Sequence, residues 1–88
     1  MKTKPKKSSV TAAQYLLLTK LLRAGKKNTY ELRRNGIMAP AARIKEMNDR
    51  LGFQIPTVDR IAIFDEEGYP HFGVAVYQLV KEPEARNG

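Results

Sequence analysis

The sequence predicts one α+β domain, three helices followed by a β-hairpin. Three observations carry this reading. Apolar residues recur at helical spacing in segments as far as Leu51, the period drops to two beyond Gly52, and Gly25, Gly36 and Gly52 stand where the helical segments end.

The first helix is expected from about residue 11 to residue 24. Thr11-Ala-Ala-Gln14 has capping-box spacing, in which hydroxyl and amide answer each other's free backbone donors. Leu17, Leu18, Leu21 and Leu22 then form its apolar face, and Gly25 can take the left-handed conformation that ends a helix. A second helix starts after Asn28, a good N-cap with Glu31 three residues on, and stops at Asn35-Gly36. It is barely two turns long and depends on packing. Pro40 suits the first turn of a third helix, where its missing N–H costs nothing. Ala41, Ile44, Met47, Asn48 and Leu51 fall on one face of that helix. The opposite face holds Ala39, Ala42, Glu46 and Asp49, flanked by Arg43 and Arg50 on one side and Lys45 on the other. Residues 59–64 and 71–79 then alternate as strands around the charged turn 65–70, which makes a hairpin. Residues 1–9 read as a disordered basic arm, 10–80 as the folded domain and 81–88 as a disordered polar tail.

Composition removes several function classes. Eighty-eight residues suffice for one compact core, and 42% apolar with 28% charged side chains is a globular balance. The absence of cysteine excludes a disulfide framework, a thiolate metal site and a cysteine nucleophile. His71 is the only histidine, so no multi-histidine metal cage can form, and it reads as a hairpin surface residue. Asp65-Glu66-Glu67 lacks the spaced ligands of a calcium loop, and there is no Gly-rich phosphate loop or nucleophile elbow. No apolar run approaches the roughly 20 residues of a membrane span, and the basic N-terminus lacks the apolar stretch of a secretory signal. The expectation is a cytoplasmic protein without metal, cofactor or catalytic activity.

The charge is informative. Sixteen Lys and Arg against nine Asp and Glu give +7, unevenly spread. Residues 20–50 carry nine basic side chains against Glu31, Glu46 and Asp49, whereas residues 51–80 hold only Arg60 against Asp59, Asp65, Glu66 and Glu67. A lopsided domain of this kind attracts a polyanion with one side. The basic half is also the half in which a short helix, a Gly turn and a well-signalled helix follow one another. With a hairpin after them, this is the order of a winged helix-turn-helix, whose third helix enters the DNA major groove. In that arrangement Arg43 is the leading base contact, since Arg pairs with guanine through two parallel hydrogen bonds. Ala39 and Ala42 permit close approach, and Glu46 either accepts from cytosine or holds Arg43. Lys45 and Arg50 are expected on phosphates, and Lys26, Lys27, Arg33 and Arg34 form a cluster beside the groove. Tyr30 and Tyr77 read as core aromatics.

The residues themselves carry a likeness. Gly36-Ile-Met-Ala-Pro-Ala-Ala-Arg-Ile-Lys-Glu-Met47, then Gly52-Phe-Gln-Ile55 and Val74-Ala-Val-Tyr77, resemble a family of small phage and prophage helix-turn-helix proteins. The pattern covers about residues 14–79. It implies a winged-helix fold, double-stranded DNA as partner, a bacterial host cytoplasm, and a role as transcriptional regulator or excisionase-like architectural factor. Two departures stand out: Val76 replaces a basic residue of the last strand, and the wing tip is acidic. Carboxylates there would be repelled by phosphate, so the basic arm is the better candidate for an adjacent groove. The acidic wing also favours an alternative, a protein-interaction module that binds a host protein such as RNA polymerase. Many helix-turn-helix proteins pair to read palindromes, so a homodimer is a further expectation.

Overall fold

The computed structural model describes the backbone of residues 7–84 and the side chains of residues 11–84. Its elements are α1 (Lys7–Arg23), β1 (Lys27–Asn28), α2 (Thr29–Arg34), α3 (Pro40–Arg50), β2 (Thr57–Phe64) and β3 (Pro70–Tyr77). The strands make one antiparallel sheet in the order β1-β3-β2. The chain is thus a small α+β domain with three helices and three strands.

α1 begins at Lys7, ahead of the expected start at Thr11, so residues 7–9 of the expected arm are helical. No Gly or Pro between Lys7 and Thr11 stops the helix, and extending it adds one bond per residue fixed. The expected capping box is therefore inside the helix. Gln14 instead reaches across to the turn after α2: its Nε2 donates to Gly36 O at 2.9 Å, and its Oε1 accepts from Met38 N at 2.8 Å. Residues 1–6 lie outside the described residues.

β1 was not legible as a strand, since two residues carry no period. It pairs Lys27 with Tyr77 and Asn28 with Val76, and so ties the start of α2 to the last strand. Asn28 then caps α2 as expected. Its side chain accepts from Glu31 N at 2.9 Å, and its own N–H donates to the Glu31 carboxylate at 2.8 Å. The turn after α2 needs Gly36, whose φ is +98°, and it drives Ile37 into the core.

Pro40 opens α3 as expected, but Ala39 before it sits at φ +51°, ψ +64°, a left-handed conformation for a residue with a Cβ. The buried stripe of α3 is narrower than its pattern suggests, being Pro40, Ile44 and Met47. Ala41 is exposed, Leu51 is 39% exposed, and Asn48 uses its amide rather than burial. Asn48 Oδ1 accepts from Ile55 N at 2.8 Å and its Nδ2 donates to Ile55 O at 3.2 Å, fixing the chain as it leaves the helix. The core is Leu18 and Leu22 of α1, Leu32, Ile37, Ile44 and Met47 of the helical turn region, and Ile55, Ala75 and Tyr77. Tyr77 is the core aromatic expected; Tyr30 is only half-buried.

The hairpin is antiparallel with two irregularities. Between the pairs Ile61–Val74 and Ile63–His71, Phe72 and Gly73 stand opposite Ala62 alone. Gly73 takes φ +67° at this bulge, and Phe72 is turned out to solvent. The start of the polar tail is held rather than free. Gln54 and Val80–Lys81 exchange backbone bonds, and Arg23 grips Glu82 through two bonds of 2.7 Å, with Nε and Nη2 donating. Residues 85–88 lie outside the described residues.

Candidate nucleic-acid interface

The outward side of α3 follows from its geometry. With Ile44 and Met47 inward, the 100° step per residue turns Ala42, Lys45 and Asp49 to solvent, and all three are exposed. The hairpin does not cover them. Lys45 Nζ donates to Asp49 Oδ2 at 2.9 Å, with the lysine side chain 77% exposed. A pair this open, with the cation on the N-terminal side, is worth tenths of a kcal/mol, so Lys45 is free to leave it. Ala39 is exposed at the entry and Arg50 at the exit of the helix.

Of the two roles expected for Glu46, the structure shows the one in which it holds Arg43. Both residues lie on the flank that meets α1, where Arg43 Nη2 donates to Glu46 Oε2 at 2.9 Å and Tyr15 Oη donates to Glu46 Oε1 at 2.7 Å. Their side chains are 24% and 28% exposed, and Arg43 Nε is buried without a hydrogen-bond partner. The Tyr15 hydroxyl, with Arg43 beside it, holds the Glu46 carboxyl below its ordinary range despite partial burial. In turn Glu46 pushes the Tyr15 hydroxyl above its ordinary value. Glu46 is thus committed within the fold, and Arg43 is a half-buried side chain tied to Glu46 rather than a free reader.

The cluster beside α3 is partly as expected. Lys26, Arg33 and Arg34 are exposed, whereas Lys27 is half-buried in β1. Arg33 lies over the Tyr30 ring, its guanidinium carbon 5.6 Å from the centroid. Tyr30 leads to the wing. His71 Nδ1 is 3.0 Å from the Tyr30 hydroxyl and His71 Nε2 is 2.9 Å from Asp65 Oδ2. Asp65 Oδ1 accepts from Glu67 N and Tyr69 N, each at 2.9 Å. The His71 bond and these backbone donors hold the Asp65 carboxyl below its ordinary range. So Asp65 is the keystone of the wing turn, and His71 joins that turn to α2.

Between α2 and the wing tip is a cleft of about 340 Å³, with Tyr30, Arg33 and Arg34 on one wall and Asp65, Glu66 and Glu67 on the other. Among the described residues no ion pair crosses it.

Sequence reasoning missed Gln14, Tyr15, Asn48 and His71 as positioning residues. For Tyr15 and Glu46, 31 positions apart, no local pattern could have found them. Among the described residues no three His, Asp or Glu side chains converge to hold a metal, and no helix is long and apolar enough to cross a membrane. No family model, curated protein or solved structure matches the chain.

Proposed function

We propose that the chain binds double-stranded DNA as a winged helix-turn-helix protein, with the exposed side of α3 entering the major groove. The observation that carries this reading is the open Ala42–Lys45–Asp49 side of α3, set in the basic half of the chain between Arg50 and the α2 arginines. β1 supports the fold assignment, because a short strand between the first two helices completes a three-stranded sheet with the wing. Lys45 and Ala42 approach base edges, Arg50, Arg33, Arg34 and Lys26 anchor phosphates, and Glu46, bonded to both Tyr15 and Arg43, holds the helix against α1. The role in the cell is that of a phage-type regulator or architectural factor.

Selection of bound fragments from random duplexes at two salt concentrations tests this. Lys45→Ala is expected to relax the selected sequence, whereas Arg33→Ala with Arg34→Ala weakens all sequences alike and lowers the salt slope by about two. Binding that selects no sequence and does not weaken with salt refutes the reading.

A second reading is favoured by the wing. Phe64, Tyr69 and Phe72 are exposed beside Glu66 and Glu67, a surface suited to a basic protein with apolar side chains, such as a host polymerase subunit. Capture of one stoichiometric protein from nuclease-treated extract, lost on Phe72→Ser, supports this second reading instead.

A further inference from the structure

We infer that the wing tip is an electrostatic damper: Glu66 and Glu67, across the cleft from Arg33 and Arg34, oppose phosphate at α2 and so lower the affinity for duplex whatever its sequence. This rests on the reading of the chain as a DNA-binding protein.

Each wall of the cleft is held by contacts of its own, and one contact joins the two. Arg33 and Arg34 belong to α2, whose start is fixed by the Asn28–Glu31 capping box and by β1. The wing turn is fixed by Asp65, which accepts from two backbone N–H groups and meets His71, and His71 in turn meets Tyr30 of α2. Three contacts shape the turn from within, and the fourth, Tyr30–His71, joins it to the helix that carries the arginines. Asp65 is engaged by three of them, but the side chains of Glu66 and Glu67 are exposed and make no ion pair among the described residues. Glu66 and Glu67 line the same cleft of about 340 Å³ as Arg33 and Arg34, so a phosphate seated on either arginine lies in the field of the carboxylates.

Phosphate contacts contribute to every duplex equally, whereas base-edge contacts from α3 contribute only at the right sequence. A fixed negative tip beside two phosphate-binding arginines subtracts from the first kind, so it lowers the affinity for every duplex by one common factor and leaves the order of preference to α3. This gives the acidic wing, a feature at odds with DNA binding, a role within it.

The test compares the wild-type chain with Glu66→Gln/Glu67→Gln and with a control of equal charge change elsewhere, Asp59→Asn/Glu84→Gln. Each is measured on immobilised heparin and on a random-sequence duplex. One further phosphate neutralised at about 0.1 M salt changes affinity roughly tenfold. The wing variant is therefore expected to bind random duplex about tenfold tighter, with a salt slope steeper by about one, and to leave heparin at higher salt. The control pair should show less than a third of either shift. In an Arg33→Ala/Arg34→Ala background the wing effect should disappear. Equal shifts for wing and control, or a wing effect that survives loss of the arginines, overturns the inference. The heparin readout needs no sequence recognition. A chain that selects no DNA sequence but keeps this heparin pattern loses the α3 reading and not the damper.

Discussion

Replacing Asn48 by Ala tests whether α3 is locked to the strand segment that follows it. The Asn48 amide satisfies both backbone groups of Ile55, at 2.8 Å and 3.2 Å, and Ile55 is only 2% exposed. Alanine leaves a buried N–H and a buried C=O without partners, and each such group costs about 1–3 kcal/mol. Asn48 itself is open to solvent, so water refills part of the space and the lower end applies. The expected loss is about 2 kcal/mol in all. For a domain of this size each kcal/mol lowers Tm by about 4–8 °C, so the melting point should fall by about 8–16 °C. Urea unfolding followed by far-UV circular dichroism should give the same loss with an unchanged m-value. Asn48→Asp keeps the acceptor for Ile55 N–H and loses only the donor to Ile55 C=O, so at neutral pH it should cost about half as much. A loss below about 0.5 kcal/mol for alanine, or an aspartate variant as unstable as the alanine one, would refute the claim that this amide fixes the exit from α3.

Gln14→Ala should cost about 1–2 kcal/mol, because it removes both bonds to the turn at Gly36 and Met38, and hydrogen exchange at Met38 N–H should rise with it. Ala39→Gly should stabilise by up to about 1 kcal/mol, since it relieves a left-handed residue against a larger unfolded-state entropy, whereas Ala39→Val should destabilise. The carboxyls of Glu46, Asp65 and Glu82 all titrate below their ordinary range. Their stabilisation is complete above the unfolded value of about 4 and is lost as pH falls through the lowered folded values. Thermal stability should therefore be flat from pH 7 to about 5 and decline below about 4. Tyr15→Phe should move the Glu46 carboxyl back toward its ordinary range, read by carbon-detected NMR titration.

The parts of the fold that the sequence made legible are those with a period. α2 was readable from Asn28 and Glu31, α3 from Pro40 and its apolar spacing, and the hairpin from alternation around a Gly and Pro turn. β1 was not, because Lys27–Asn28 is defined only by its pairing with residues 76 and 77. The start of α1 was misplaced because Thr11 and Gln14 have capping spacing wherever they stand, and nothing local says that Gln14 is needed by the turn after α2. In the interface, the exposed positions Ala42, Lys45 and Arg50 could be read from helical geometry alone. The Arg43–Glu46 pair was one of two readings of their spacing, but the Tyr15 hydroxyl on another helix that fixes Glu46 could not be read. His71 looked isolated for the same reason, its partner Tyr30 being 41 positions away.

These long-range contacts converge on α3. Gln14 holds the turn that leads into it, Tyr15 holds Glu46 and through it Arg43 along one flank, and Asn48 holds the exit. A helix fixed at entry, flank and exit meets a partner as a rigid element, and little ordering entropy is spent on its backbone when it docks. On the reading proposed above, affinity differences among DNA sequences come from the exposed side chains of its outward face, Ala42, Lys45 and Asp49, and from cations beside it. Arg43→Ala and Lys45→Ala should accordingly separate. The first removes the cation that pairs with Glu46 and lowers stability with all sequences affected alike, and the second leaves the melt unchanged while altering which sequence is preferred.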